Sequence, residues 1–597
     1  MSERSLILVA LGVVFGAAVS WEVPGIVVVG VCALALLVRH PACALVALTV
    51  LATSLASRAE EGVATVRHSE AIDGIADLVS DPARAEFGWT VELRVHDGRR
   101  LWAQMPHEVG AALATLRMGE RVRLEGVVSP LDATPSWMKS RHLAGRVTVR
   151  RLDAYDRGPL LWRSVNAVQR LTGAGMQPLD EQQRALYLGI VFGDDRGQSA
   201  VQQYRFRASG IAHLLAVSGQ NLALMVVVAA PLLGRLARTP RVAVSAVLIV
   251  WFCVLTRIEP SVLRAAAMVL IAAVAWWHGR FVSARRILWV AVIALVLIDP
   301  LLIWSLGFRL SVAASIGLIE FARPLAERLR GPRWFRQPLA VALAAQSLTS
   351  LLLVNTFGPT SLLSPIVNLL AVPIGGALMV WGAATGPLAG ILGAPVDEFA
   401  SWPARALLWG LDALATVGAH PGIPRVGLGG AVATAFGCAL PWASLHWPGA
   451  IGTRGIRRLM VVAVVVVVGD LTLSVRPFSS VGEPRLVAEV AGVERWQIGR
   501  SEVWVLDGGA TPRRVLDALG SMRRPVVALV VVVGGGKRSA GAVWALRQVA
   551  EPGAIVAMRP ELVADAGSLP AGILVVDGVA FRLGGDGRPA PAHDAVH

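Results

Sequence analysis

The stretch His213-Leu-Leu-Ala-Val-Ser-Gly-Gln-Asn221 sets an imidazole, a hydroxyl, two carboxamides and a flexible glycine at the head of an apolar run that continues to Leu233. In hydrocarbon each polar group without a partner costs several kcal/mol. These side chains therefore face protein or a water-filled path, and the chemistry they offer is hydrogen bonding. A plainer reading stands beside this one. His213 can be a packed helix-lining residue, and Ser218 and Gly219 can serve close helix approach, as small residues do in membrane interfaces.

The elements that must position this cluster are membrane helices. Of the 597 residues 55% are hydrophobic and only 16% are charged, against about 25% charged in an ordinary soluble chain. The sequence predicts a polytopic membrane protein. Cys32, Cys43, Cys253 and Cys438 all lie in apolar segments, so neither a disulfide framework nor a cysteine-bound metal is expected. Counting Lys and Arg against Asp and Glu gives 3 and 2 for residues 1–59, 13 and 14 for 60–155, 26 and 13 for 156–475, and 14 and 12 for 476–597. The net charge of +15 thus sits almost wholly in the short loops of the membrane region. Loading of cytoplasmic loops with arginine produces such a bias, and so does attraction of a polyanion.

Three leading runs, 6–21, 24–38 and 42–57, are each near the lower limit for spanning, with Arg39-His40 marking a cytoplasmic turn. Residues 60–155 then fall outside. Arginine clusters recur after every second later span: Arg235/Arg238/Arg241, Arg280/Arg285/Arg286, Arg323 through Arg336, and Arg454/Arg457/Arg458. If each is cytoplasmic, spans fall at 208–234, 242–257, 262–279, 287–304, 306–322, 338–357, 360–395 as two broken passes, 427–447 and 458–474. Residues 476–597 are then delivered to the outside. Pro365, Pro373, Pro387 and Gly375-Gly376 are expected to interrupt some of these runs.

Between the leading runs and the core, Thr90–Val95, Arg121–Val128 and Gly145–Arg150 alternate polar and apolar residues. A period of two predicts half-buried strands, and a five-stranded barrel of the OB type fits the segment's length, as would another small β domain. Pro159–Leu171 reads as an interfacial amphipathic helix, and a second helix is predicted from Asp180 to Phe192 before the polar turn Gly193-Asp194-Asp195-Arg196.

The chain resembles the ComEC competence proteins, the inner-membrane channels through which transforming single-stranded DNA enters bacteria. The resemblance rests on ordered segments: Leu188-Gly-Ile-Val-Phe-Gly-Asp194, His213-Leu-Leu-Ala-Val-Ser-Gly219, Pro260-Ser-Val-Leu-Arg-Ala-Ala through Met268, Ser305-Leu-Gly-Phe-Arg-Leu-Ser311 and Pro365-Ile-Val-Asn-Leu-Leu-Ala-Val-Pro373. It implies a polytopic α-helical membrane protein of four parts: N-terminal transmembrane helices at 1–59, an OB-like extracytoplasmic β domain at 60–155, a competence-type channel core at 156–475, and a degenerate metallo-β-lactamase-like α/β domain at 476–597. One departure stands out. Asn221 occupies the place of the family's second histidine, which argues against a two-histidine metal or proton-relay role.

In the last part Val503-Trp-Val-Leu-Asp-Gly-Gly509 resembles the strand and acidic turn of the metallo-β-lactamase-like fold, and Pro525 through Val533 resembles its next buried strand. Where active relatives carry a His-x-His-x-Asp-His motif this chain has Gly534-Gly-Gly-Lys-Arg-Ser-Ala-Gly541. Lysine and arginine offer no usable lone pair to a metal, whereas a dinuclear site needs imidazole and carboxylate ligands. The part's histidines, His593 and His597, stand in the polar tail. No metal, cofactor or catalytic residue is expected. A glycine-rich turn with cations at a strand end suits an oxyanion, which gives Lys537 and Arg538 a phosphate-contact reading; the alternative is a plain turn left once the ligands were lost.

Glu259, Arg264, Arg309, Gln346, Asn355 and Asn368 are further polar residues in or beside apolar segments. Carboxamides there commonly bond a neighbouring helix, and as pore-lining groups they would meet a polyanion without trapping it. The DNA path implied by the resemblance comprises His213, Ser218, Gly219, Gln220, Asn221, Arg264, Asn355 and Asn368. Its implied partners are single-stranded DNA, the lipid bilayer, a DNA receptor and a cytoplasmic ATP-driven translocation partner, with a homo-oligomer left open. No G-x-x-x-x-G-K-[ST] loop occurs, so the chain carries no nucleotide site of that kind. The competing readings are a transporter of another solute, a membrane scaffold that does not transport, and a surface nuclease, the last disfavoured by the missing ligands.

Overall fold

The computed structural model describes residues 2–591 except 39, 64–65, 86–87, 132–134, 447–458, 460–461, 464, 468–469, 471–483, 499–500, 523–525, 535, 551, 564–565, 569–572, 577–578 and 584–586. The cluster Arg454/Arg457/Arg458, Pro525, His593 and His597, and most of the expected span 458–474, lie outside the described residues. The chain divides into two compact units, one of residues 1–197, 216–319 and 376–406, the other of 198–215, 320–375 and 407–597.

Helices dominate. They are α1 (Glu3–Val19), α2 (Gly25–Val38), α3 (Pro41–Val63), α4 (Ser136–Lys139), α5 (Leu160–Ala174), α6 (Glu181–Phe192), α7 (Ala200–Ala208), α8 (Gly219–Leu233) and α9 (Arg238–Leu255). There follow α10 (Pro260–Trp277), α11 (Ala284–Ile298), α12 (Leu306–Arg328), α13 (Arg333–Phe357), α14 (Ser364–Leu392), α15 (Val396–Gly418), α16 (Leu428–His446), α17 (Pro512–Gly520) and α18 (Lys537–Arg547). Among the described residues five, α3, α9, α10, α13 and α14, are long and apolar enough to cross a membrane. With the shorter apolar helices and the sheets described below, the chain is a mostly helical membrane protein with added β structure.

Two expected spans differ from the structure, and one helix was not expected. The run 208–234 is not one span: α7 ends at Ala208, Ala212–Leu214 forms one tight 3-10 turn, and α8 begins only at Gly219. The run 360–395 is not two broken passes, because α14 continues unbroken for 29 residues, about 43 Å at 1.5 Å per residue. Its glycines make it a close-packing surface. Gly382, Gly386 and Gly390 recur every fourth residue and let α5 and α6 close in: Tyr187 and Thr172 fill the space that Cβ atoms at Gly382 and Gly386 would take, and the Leu171 backbone fills that at Gly390. The Tyr187 hydroxyl donates to the Gly382 carbonyl at 2.9 Å. Lastly, α15 was not foreseen, because Asp397, Glu398, Arg405 and Asp412 break up its apolar residues.

In the first unit a polar segment folds into β1 (Glu70–Leu78), β2 (Ala83–Ala85), β3 (Gly88–Val95), β4 (Arg100–Met105), β5 (Arg121–Ser129) and β6 (Leu143–Asp156). β1 pairs with both β5 and β3, β3 with β4, β4 with β6 in parallel, and β6 with β5. That order closes a ring of five strands, with β2 added outside β3. The expected alternation is the reason: Val122, Leu124 and Val128 are buried while Arg123 and Glu125 face out, and the inward set packs with Leu93, Leu101 and Val147 in one core.

An ionic network ties this ring to the helices of the same unit. Arg257, in the turn between α9 and α10, donates to Asp81 at 2.8 Å, to Asn166 at 2.9 Å and to Gln169 at 2.6 Å. Both Arg257 (φ 60°) and Ile258 (φ 58°) are left-handed, a strained conformation for such residues that these bonds help to hold. Beside it, Asp194 is gripped by the Arg196 fork at 2.7 and 2.6 Å and approached by Arg117 at 3.5 Å. Burial alone would raise the Asp194 carboxyl, but Arg196 and then Arg117 hold it down at about 2.

The second unit contains β7 (Thr360–Ser361), paired with β8 (Arg425–Val426), and a sheet of β9 (Arg485–Val490), β10 (Val493–Ile498), β11 (Ser501–Leu506), β12 (Val527–Val532), β13 (Ala554–Ala557) and β14 (Gly567–Ser568). β11 through β14 are parallel, and a hairpin sheet of β15 (Ile573–Val576), β16 (Val579–Leu583) and β17 (Pro589–Pro591) follows. One face of the large sheet packs with Leu516, Leu519, Val543 and Leu546 of α17 and α18, and with Val201 and Tyr204 of α7; Phe581 covers the other. Arg425 is only 2% exposed. It donates to the Leu519 and Met522 carbonyls at 3.3 and 3.2 Å, at the end of α17, and to the Tyr204 hydroxyl at 2.7 Å. The carbonyls at a helix C-terminus carry partial negative charge that suits a cation.

Two outcomes are expected. A carboxyl with a depressed folded-state pKa contributes stability above its ordinary value near 3.8 and loses it as pH falls toward about 2, an effect of about 2 kcal/mol. Thermal unfolding of the detergent-solubilised chain will show that acid limb, and Asp194→Asn will start lower and lack it. Arg425→Met, which keeps bulk and removes all three bonds, will lower stability by about 2–4 kcal/mol, and Arg425→Lys will restore only part, because an ammonium lacks the guanidinium's planar fork.

Candidate functional site

The polar cluster at the head of α8 is built by helix ends. Ser218, in extended conformation, caps α8: its hydroxyl accepts from the Gln220 amide at 3.3 Å. This explains why the helix starts at Gly219, since a serine satisfies a first-turn N–H that would otherwise be orphaned. Asn221 then points its amide at the Ile190 carbonyl near the end of α6, at 3.3 Å. Gln220 is half-buried and its amide nitrogen would lie 3.7 Å from a Cβ at Gly376.

Gly219 is where α8 meets α10. A Cβ there would come to 2.8 Å from the Ala265 Cβ and 2.9 Å from an Arg264 guanidinium nitrogen. Arg264 itself donates to the Ser311 hydroxyl at 2.7 Å and to the Met268 sulfur at 3.0 Å; among the described residues no carboxylate pairs with it. One turn earlier the Ser261 hydroxyl bonds the Val217 carbonyl at 2.7 Å. Ser218, Gly219, Asn221 and Arg264 thus come together in the first unit.

His213 and Asn368 belong to the second unit. His213 sits on the 3-10 turn with its side chain exposed. Asn368 donates to the Ser364 carbonyl at 2.8 Å, the Ser364 hydroxyl at 3.2 Å and the Gly210 carbonyl at 3.3 Å, and the His213 ring also reaches the Gly210 backbone. Gly210 is left-handed, and a side chain there would strike Ser364. Asn355 is exposed near the end of α13. Lys537 and Arg538 are exposed at the start of α18, beyond the carboxyl end of β12, where Ser539 donates to the Asp507 carbonyl at 3.2 Å.

Sequence reasoning missed the Arg257 and Asp194 networks. Their members are up to 176 positions apart, so no local pattern announces them; the signal present was the density of charge at 194–196. Among the described residues no group of three or more His, Cys, Asp or Glu side chains is placed to hold a metal ion, and all four cysteines are free.

Gly219→Ala is expected to lower the unfolding temperature through a clash worth about 1–3 kcal/mol. Adding Ala265→Gly will recover most of the loss in a double-mutant cycle, and independent, additive losses would contradict the close approach of α8 and α10.

Residues 190–448 match the family model described as competence protein. Over 211 residues the chain is 29% identical to ComE operon protein 3 of Bacillus subtilis (strain 168), covering 34% of this chain and 26% of that relative; the chain thus spans about a quarter of the curated relative's length. No solved structure matches it. The polar head of α8, α10 and the whole of α14 lie inside the region that matches the competence-protein model.

Proposed function

We propose that the chain is a channel that passes single-stranded DNA across the cytoplasmic membrane, with its β ring and its C-terminal α/β part on the outer side. The observation that carries this reading is the competence-family match over residues 190–448, which contains the polar cluster at the head of α8. Arg264 adds support: a guanidinium on a membrane helix, bonded to a hydroxyl and a thioether and, among the described residues, to no carboxylate, keeps positive charge for a passing phosphate. His213, Ser218, Gly219, Gln220, Asn221, Asn355 and Asn368 are proposed to border the strand with it. The cyclic strand order of the β ring favours an OB-like barrel. The parallel strands β11 and β12, which lead into Asp507 and Gly534, favour a metallo-β-lactamase-like core, in which Lys537 and Arg538 stand where ligands would be needed; this part is proposed to be non-hydrolytic and to contact phosphate there. The division of the chain at 1–59, 60–155, 156–475 and 476–597 belongs to the same reading, as do a DNA receptor and a cytoplasmic ATP-driven partner.

Labelled DNA offered to a strain deleted for this chain will stay outside the cytoplasm, and the wild-type chain will restore import. Arg264→Gln is expected to reduce import about tenfold or more, in keeping with the 1–3 kcal/mol of a lost charge-assisted contact, with protein level and unfolding temperature near wild type. DNA import that survives the deletion contradicts the channel.

A further inference from the structure

A cleft of about 550 Å³ opens in the first unit between β2 and the start of β3 on one side and α5 and α6 on the other, a volume within the range of ligand sites. Five guanidinium groups line it, those of Arg84, Arg117, Arg170, Arg184 and Arg196, against two carboxylates, Asp194 and Glu181. Three of the arginines are committed to the protein: Arg196 and Arg117 to Asp194, and Arg170 to Glu120. The other two are not. Among the described residues, the side chains of Arg84, exposed on β2, and Arg184, half-buried on α6, make neither a hydrogen bond nor an ion pair. Positive charge left unanswered in a concave surface attracts an anion more strongly than the same charge on an open face.

Trp89 adds a second kind of contact. It is half-buried and lines the cleft, and one edge of its ring is wedged against Gly110, where a Cβ would overlap it. A ring fixed in that way is a ready platform for a base, since stacking tolerates any base and costs little further ordering. Cations that follow a backbone beside an aromatic face are the combination that binds an unpaired strand; a lipid headgroup would use the cations and leave the ring idle.

We infer that this cleft is a binding site for single-stranded DNA, in which Arg84 and Arg184 contact phosphates and Trp89 stacks a base. The inference rests on the channel reading for its substrate and adds to it the place where the strand is held before it crosses. Arg117 and Arg196, locked by Asp194, set the shape of the floor.

The test uses the full chain in nanodiscs of phosphatidylcholine, with anisotropy titrations of a fluorescein-labelled oligothymidylate over a series of NaCl concentrations. Arg84→Gln/Arg184→Gln is expected to weaken binding about tenfold and to reduce the slope of log affinity against log salt by about 1.4, the value for two phosphate contacts on a single strand. Arg123→Gln/Arg151→Gln, which alters two exposed arginines on the outer face of the same ring, will stay within about twofold of wild type. The inference is overturned if the wild-type chain does not bind the oligonucleotide, if the cleft variant keeps the wild-type slope, or if the control loses as much. A cleft variant that keeps its DNA slope but no longer associates with phosphatidylglycerol vesicles would assign the cleft to lipid instead. The channel reading fails separately, when import survives deletion of the chain, so a negative titration with import abolished by deletion removes the cleft alone.

Discussion

A hydrogen-bonding group inside a bilayer has no water to turn to, so each must be met by another part of the protein, and much of this structure follows from how that is done. Asn221 answers a carbonyl at the end of α6, Ser261 answers Val217, and Asn368 answers Ser364 and Gly210. Apart from the Asn368–Ser364 bond, which stays within α14, each joins one helix to a turn or a neighbouring helix. The polar residues of the membrane region therefore fix where helices begin and which faces meet, and a set of side chains suited to a polar path is at the same time a set of structural ties.

Close approach is the second consequence. Lipid supplies no hydrophobic drive for helices to associate, so packing must. The glycines of α14 bring the Leu171 backbone and the Tyr187 ring against the helix itself, and Gly219 does the same for α10. Where backbones come so near, a carbonyl can accept an extra bond, as Gly382 does from Tyr187.

Outside the apolar helices the same requirement is met by buried guanidinium groups. Arg257 satisfies a carboxylate and two carboxamides in the first unit; Arg425 satisfies two helix-end carbonyls and a phenol in the second. A planar fork with five donors can serve several acceptors from different elements at once. In the cleft beside β2, the side chains of Arg84 and Arg184 find no such acceptor among the described residues.

The leading helices α1 to α3 were legible as apolar runs, and β3, β5 and β6 as alternation of period two, because burial on one or all faces writes itself directly into residue order. The polar residues His213, Asn221, Arg264 and Asn368 also stand out in the residue order against the apolar runs around them. What misled was continuity. Apolarity alone joined 208–218 to α8, although Ser218 caps and so starts that helix, and proline alone divided α14. The sequence by itself determined that this is a membrane chain with polar residues at fixed points in its apolar runs, because transfer free energy is a property of each residue. Which of those residues meet, that Arg257 finds Asp81 and Asp194 finds Arg196 and Arg117, and that two arginines and a tryptophan share one cleft, only the tertiary structure decided, because pairing depends on distances that chain order does not encode.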